Sequence, residues 1–261
     1  MYNINSVVIA VCLFLLILLA NEIAYHIARR TATKADQGLS TQTNAIQAGV
    51  LGLLALLLGF SFNMALQRFD ARSTAVIEEA NTIGTAWLRT TLLPEENAAE
   101  VASLLSDYVD VRLEGGGIDM TNPTRREEVA ARTLQLQAQL WQVVSDAAAS
   151  DLPPAKVSLI IQALNQVIDE YGKRQAQLDK HVPEVVLFLL FVIFIVTGSI
   201  LGAAAGLAGG RPVLATVSMA ALIVLVIFIV VDLDRPRRGL IQVDQSSMVA
   251  LRLQIDQDLA R

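Results

Sequence analysis

"AIQAGVLGLLALLLGFSFNMALQRFDARSTAVIEEANTIGTAWLRTTLL" occupies residues 45–93. Its first part, residues 45–66, is apolar and reaches the roughly 20 residues that a helix needs to cross about 30 Å of hydrocarbon. The remainder does not stop at a membrane surface. No proline interrupts it before Pro94, and Gly84 is its one glycine after residue 66. Phe69, Val76, Ile83 and Trp87 recur at helical spacing, with Glu78 and Glu79 assigned to other faces. A single helix over 45–92 would be about 70 Å long, so more than half of it would project into water. One stretch therefore predicts both a membrane span and an extramembrane body grown directly from it.

Three further runs have spanning length: residues 4–28, 182–209 and 212–231. Of the 261 residues, 54% are hydrophobic and only 17% charged, against nearer a quarter charged in soluble domains. Helix is the required form, because lipid offers no partner to an open strand edge. The first run is read as a retained span rather than a cleaved signal, since "MYNINS" has no Lys or Arg and no small-x-small site follows. Cys12 is the one cysteine and forms no intrachain disulfide.

Between the outer hairpins lies a long helical insertion. Pro94, with Glu95 and Glu96 in the first turn, opens one helix, which "GGG" at 115–117 closes. A second is expected from about Pro123 to Ala149, and a third from "DLPPAK" with Asp151 as cap. The third carries Ile160, Leu164, Val167 and Tyr171 and runs into the third span, with Pro183 at the entry as a candidate kink. The fold class is thus an all-α membrane protein with four transmembrane helices, spans 2 and 3 being extended into an antiparallel bundle. The expected divisions are a first hairpin over 1–64, the bundle over 65–181, a second hairpin over 182–233, and a tail over 234–261 with a short amphipathic helix.

Residues 65–181 hold 11 Lys and Arg against 17 Asp and Glu, net −6. That excludes a nucleic-acid surface, which needs a basic patch. It leaves either a solvated acidic exterior or an acidic vestibule that concentrates cations. Four spans put the N-terminus, bundle and C-terminus on one side. Eight basic residues near span ends on that side, against Arg29, Arg30, Lys34 and Arg211 on the other, favour a cytoplasmic bundle. The first span, with positives only after it, argues the reverse.

No phosphate loop, dinucleotide loop or "HExxH" is present, and no paired carboxylates or nucleophile argue for an enzyme. His26 and His181 are too far apart in the sequence to suggest a metal centre, and no cofactor is expected. Gly198, Gly202 and Gly206 recur every four residues, a pattern for close helix packing within the chain or between subunits. Glu22 and His26 share a helix face near the end of span 1, with snorkelling to the interface as the plain account. In span 2, Leu58, Phe62 and Leu66 share one face, as do Leu56, Phe60 and Met64, with Ser61 and Asn63 polar among them. Such apolar rings can gate a pore by dewetting, or simply face lipid and neighbouring helices.

"GFSFNMALQRFDARSTAVIEEANTIGTAWLRTTLLP" and the closing "DLDRPRRGLIQVDQSSM" resemble the bacterial DUF4239 family, commonly labelled bestrophin-like. The resemblance implies four spans in the bacterial inner membrane, spans 2 and 3 extended into a cytoplasmic body, and a homo-oligomer, pentameric by analogy. It further implies a pore lined by span 2 for an inorganic ion, with Leu58, Phe60, Phe62, Asn63 and Leu66 as gate candidates. "DLDRPRRG" supplies too few oxygen ligands to hold calcium by itself. The alternative is a non-conducting sensory or scaffolding protein acting through its bundle. Arg68, Asp70 and Arg72 leave span 2 where Asp232, Asp234 and Arg235 leave span 4, and salt bridges between these clusters are expected. Pro236 and Gly239 would turn the chain, and "SSMVALRLQIDQDLA" would dock as a helix on the bundle or a neighbour.

Overall fold

The structure, a computed structural model, describes residues 5–31, 37–118, 122–149, 152–235 and 240–260, with backbone alone for 37–44. Every regular element among them is helical: α1 (Ser6–Thr31), α2 (Gln37–Arg89), a 3-10 turn (Thr90–Leu92), α3 (Glu95–Gly117), α4 (Pro123–Ala148), α5 (Pro154–Asp179), α6 (Glu184–Leu207), α7 (Val213–Leu233) and α8 (Ser246–Leu259). Four of the helical stretches are long and apolar enough to cross a membrane. α2 begins eight residues before the apolar run, because extending an existing helix costs little once its nucleus has formed. The expected turn at Pro236 and Gly239 and the Asp151 cap lie outside the described residues. The chain divides into two compact units, Met1–Gln67 with His181–Arg235, and Arg68–Lys180 with Pro236–Arg261.

In the first unit α1 packs along α6 and, less extensively, α7. The α6 glycines set how close α1 comes. A Cβ on Gly198 would lie 3.0 Å from the Ile17 carbonyl oxygen, one on Gly202 2.0 Å from that of Asn21, and one on Gly206 2.6 Å from that of Tyr25. The two registers rise together by one turn per step, so α1 and α6 run parallel. The Asn21 side-chain amide donates to the Gly198 carbonyl at 3.0 Å. The glycine ladder therefore packs backbone against backbone within one chain. Polar side chains in these helices bond locally: Thr197 to the Ile193 carbonyl, Ser199 to Ile195, and Ser61 to Leu57. The third span is not a simple kinked extension of α5, since helix stops at Asp179 and resumes at Glu184. Pro183 stands just outside α6, where its missing N–H costs nothing.

In the second unit the C-terminal half of α2 and helices α3, α4, α5 and α8 close over one core. Ile83, Leu105, Tyr108, Leu140, Val167 and Met248 are fully enclosed there. α4 is started by the Asn122 side chain, which accepts the Arg125 N–H at 3.0 Å, with Pro123 at the first helical position. α3 continues through all three glycines before stopping, because close contact rather than helix breaking determines two of them. A Cβ on Gly115 would meet Val129 at 3.2 Å, and one on Gly116 would meet Gln245 at 2.8 Å. α8 belongs to this core, burying Met248, Leu251 and Ile255. Trp87 donates to Asp258 at 3.1 Å and Arg252 to Asp110 at 2.6 Å at its edges.

Gly202→Ala is expected to lower the thermal unfolding midpoint of the purified protein, at a cost of about 1–3 kcal/mol, since the new methyl overlaps a backbone carbonyl that cannot retreat alone. Gly172→Ala, in open space within α5, should leave the midpoint unchanged or raise it, by about 0.5–1 kcal/mol.

Candidate functional site

Along the membrane part of α2, one face is covered by the chain and the opposite face is not. Leu54, Ser61 and Ala65 are buried. Gly52, Leu56, Gly59, Phe60, Asn63 and Gln67 are exposed and their helical register places them along one side, with exposed Leu53, Ala55 and Leu66 at its flanks. Phe60 is 60% exposed and Leu56 55%. The Gln67 amide donates to Asn63 at 2.6 Å, so the polar end of this stripe is tied along its own helix. Leu58 and Phe62 are half-buried and sit toward the covered side, and Leu66 is just exposed. The open face thus centres on Leu56, Phe60 and Asn63 rather than on Leu58 and Phe62. Gly52, Gly59 and Gln67 join it unforeseen. Their only signal in the sequence was their register with Leu56 and Asn63.

Of the charged residues expected at the base of the spans, Arg68 is half-buried and Asp70 exposed, while Arg72, Asp232, Asp234 and Arg235 are all buried. In the second unit, Arg72 donates to the carbonyls of Gln177 at 3.2 Å and Lys180 at 2.6 Å. It therefore serves the open C-terminal end of α5, where a cation is favoured. In the first unit, the Asp234 carboxylate accepts the Val182 N–H at 3.0 and 3.1 Å, one residue before Pro183 leads into α6. His181 Nδ1 lies 3.1 Å from the Asp234 carbonyl oxygen. Each cluster thus serves backbone groups next to the break between α5 and α6.

Near the other end of α1, Glu22 contacts His26 at 2.9 Å and Arg211 at 2.6 Å, all three partly exposed. The Tyr25 ring is approached by Arg211 at 5.4 Å and Arg29 at 5.9 Å. The helical spacing showed the Glu22–His26 pair, whereas Arg211 comes from a distant loop.

A third cluster lies inside the bundle. Glu79 is fully buried, contrary to the polar face expected for it. It sits one turn from Val76 and Ile83 on the same side of α2. Arg112 of α3 donates to it through Nε at 2.6 Å and Nη2 at 3.3 Å, and Arg174 of α5 through Nη1. Arg174 Nη2 donates to Gln245 at 2.9 Å. The Arg112 guanidinium lies over the Tyr171 ring, 4.7 Å from its centre. Burial alone would raise the Glu79 carboxyl, but the two guanidiniums outweigh it and hold the group below the usual carboxylate range. Burial is the main force on the neighbouring Tyr108 phenol, which is pushed well up and accepts the Gln137 amide at 3.1 Å.

A family model, the Bestrophin-like domain, matches residues 14–248. Among solved structures, a single-site variant of a bacterial bestrophin homolog from Klebsiella pneumoniae has a TM-score of 0.64 at 17% identity, covering 93% of this chain and 96% of that one. Another variant of a homolog from that organism has a TM-score of 0.64 at 16% identity, covering 96% of each chain. A crystallised membrane protein has a TM-score of 0.64 at 16% identity over 94% of this chain and 97% of its own. At such identities the likeness concerns the fold. No curated protein matches the sequence.

Glu79→Gln is expected to cost about 3–5 kcal/mol at neutral pH, because two buried guanidiniums lose the anion they share. The carboxylate's contribution is complete above its ordinary value of 4.5 and is lost as pH falls through the depressed folded value. Unfolding midpoints measured from about pH 6 down to about pH 3 should therefore fall more steeply in the wild type than in the variant.

Proposed function

Since the chain belongs to the bestrophin-like family, we propose that it is a homo-oligomeric ion channel of the bacterial inner membrane whose pore is lined by α2. The observation that carries this reading is the open face of α2. A helix face left uncovered by its own chain, and mixing glycines, apolar rings and an amide, suits an axis shared among copies better than a lipid contact. Lipid would not select Asn63 and Gln67. Around such an axis Leu56 and Phe60 form the narrow apolar rings that gate by dewetting. Gly52 and Gly59 leave wider levels beside them, and Asn63 and Gln67 form the polar mouth. Five subunits is the number the bestrophin resemblance implies. The basic residues near the span ends support a cytoplasmic bundle.

Purified protein in planar bilayers should give discrete single-channel steps. Phe60→Ala should raise unitary conductance about twofold or more by widening the apolar ring, and Asn63→Cys should be blocked by a thiol reagent added to the bath. A preparation that shows no steps over a range of ions and pH, and that purifies with a stoichiometric partner, would instead support a scaffold or sensor. The orientation is checked in a Cys12→Ser background with Gly117→Cys, an exposed position where a side chain meets nothing. An impermeant thiol reagent should leave it unlabelled in intact cells and label it after permeabilisation.

A further inference from the structure

We propose that the bundle holds a binding site for a small organic monocarboxylate, built on Arg112. Glu79, Arg112 and Arg174 together place two cations and one anion in the buried core. Arg112 is only 2% exposed. Its Nε and Nη2 are occupied by Glu79, and Nη1 has no hydrogen-bond partner among the described residues. A guanidinium offers five N–H donors, and one without a protein partner is available to a ligand.

This unpaired edge opens on a cavity. A space of about 330 Å³ is lined by Arg112, Gly115, Arg126, Val129, Tyr171 and Gln175, among others. Nη1 lies 3.8 Å from where a Cβ of Gly115 would stand, so the missing side chain keeps the approach to it clear. The volume is at the lower end of the range of small-molecule sites, roughly 300–1,000 Å³.

The lining selects the ligand class. Arg112 at the floor and Arg126 near the start of α4 present two cations to an anionic head. Ile118, Pro123, Val129 and Ala130 supply an apolar wall for a short hydrocarbon body. Glu127 and Asp179 also border the space, so its formal charge is balanced and a dianion such as phosphate gains less than a monoanion. The Tyr171 ring under Arg112 holds the guanidinium plane in place, so little rotamer freedom remains to be lost on binding. The site stands whether or not the chain conducts ions.

Isothermal titration of the purified full-length protein with sodium butyrate tests it, with sodium chloride and inorganic phosphate as matched controls. Saturable binding with Kd about millimolar or tighter is expected for butyrate. Ala130→Trp, which fills the cavity from α4 without touching the ion pairs, should weaken it about tenfold or more, and Arg126→Gln should weaken it less. An unchanged thermal midpoint in Ala130→Trp confirms that the loss reflects the cavity. Absence of saturable butyrate heat, or equal affinity in wild type and Ala130→Trp, overturns the proposal. Chloride or phosphate binding as tightly as butyrate also overturns it, in favour of a plain anion site.

Discussion

The Glu79 carboxylate, shared between Arg112 and Arg174, is the interaction on which the bundle depends. Each of the three residues is at most 2% exposed. Removing such charges from water is costly, and only their close mutual contact offsets that cost. Because Glu79 belongs to α2, Arg112 to α3 and Arg174 to α5, the pairing holds only when all three helices are in register. Gln245, bonded to Arg174 and filling the space beside Gly116, brings the segment before α8 into the same arrangement. Apolar packing alone would tolerate sliding of one helix along another. A carboxylate that must meet two forks does not.

In the membrane unit a different constraint has a similar effect. Apolar side chains there gain little from leaving lipid for one another, so close packing and interhelical hydrogen bonds decide the association. The α6 glycines let the α1 backbone approach until carbonyl oxygens lie against them, and the Asn21 amide closes the contact. Several polar groups in this unit are answered close by. Thr197, Ser199 and Ser61 bond to their own helices, and Glu22 meets Arg211 and His26 at an exposed edge.

Much of this was legible in the sequence. The spans follow from run length, the bundle helices from their apolar periodicity, and the docked tail helix from "SSMVALRLQIDQDLA". Periodicity does not report what covers a face. In span 2 two apolar stripes, through Leu58 and Phe62 and through Leu56 and Phe60, look alike, because lipid accepts either outward. Only tertiary packing separates them. Glu79 was misassigned for a related reason. A carboxylate at a core position reads as a solvent-facing residue until its partners are known, and Arg112 and Arg174 lie 33 and 95 residues away. The glycine ladder announced close packing, but its partner helix is separated from it by most of the chain.

That separation bears on how the protein is made. The bond from Asn21 to Gly198 spans 177 residues. α1 emerges from the ribosome first, yet its companion α6 follows only after α2 to α5 have been synthesised. In the interval the Asn21 amide and the α1 groove have no native neighbour, and contacts of such long range are slow to form. The two hairpins therefore cannot mature in order of synthesis. α6 inserts beside a helix that has been waiting for it, and the interval before that insertion exposes the nascent chain to mispairing and to quality-control proteases.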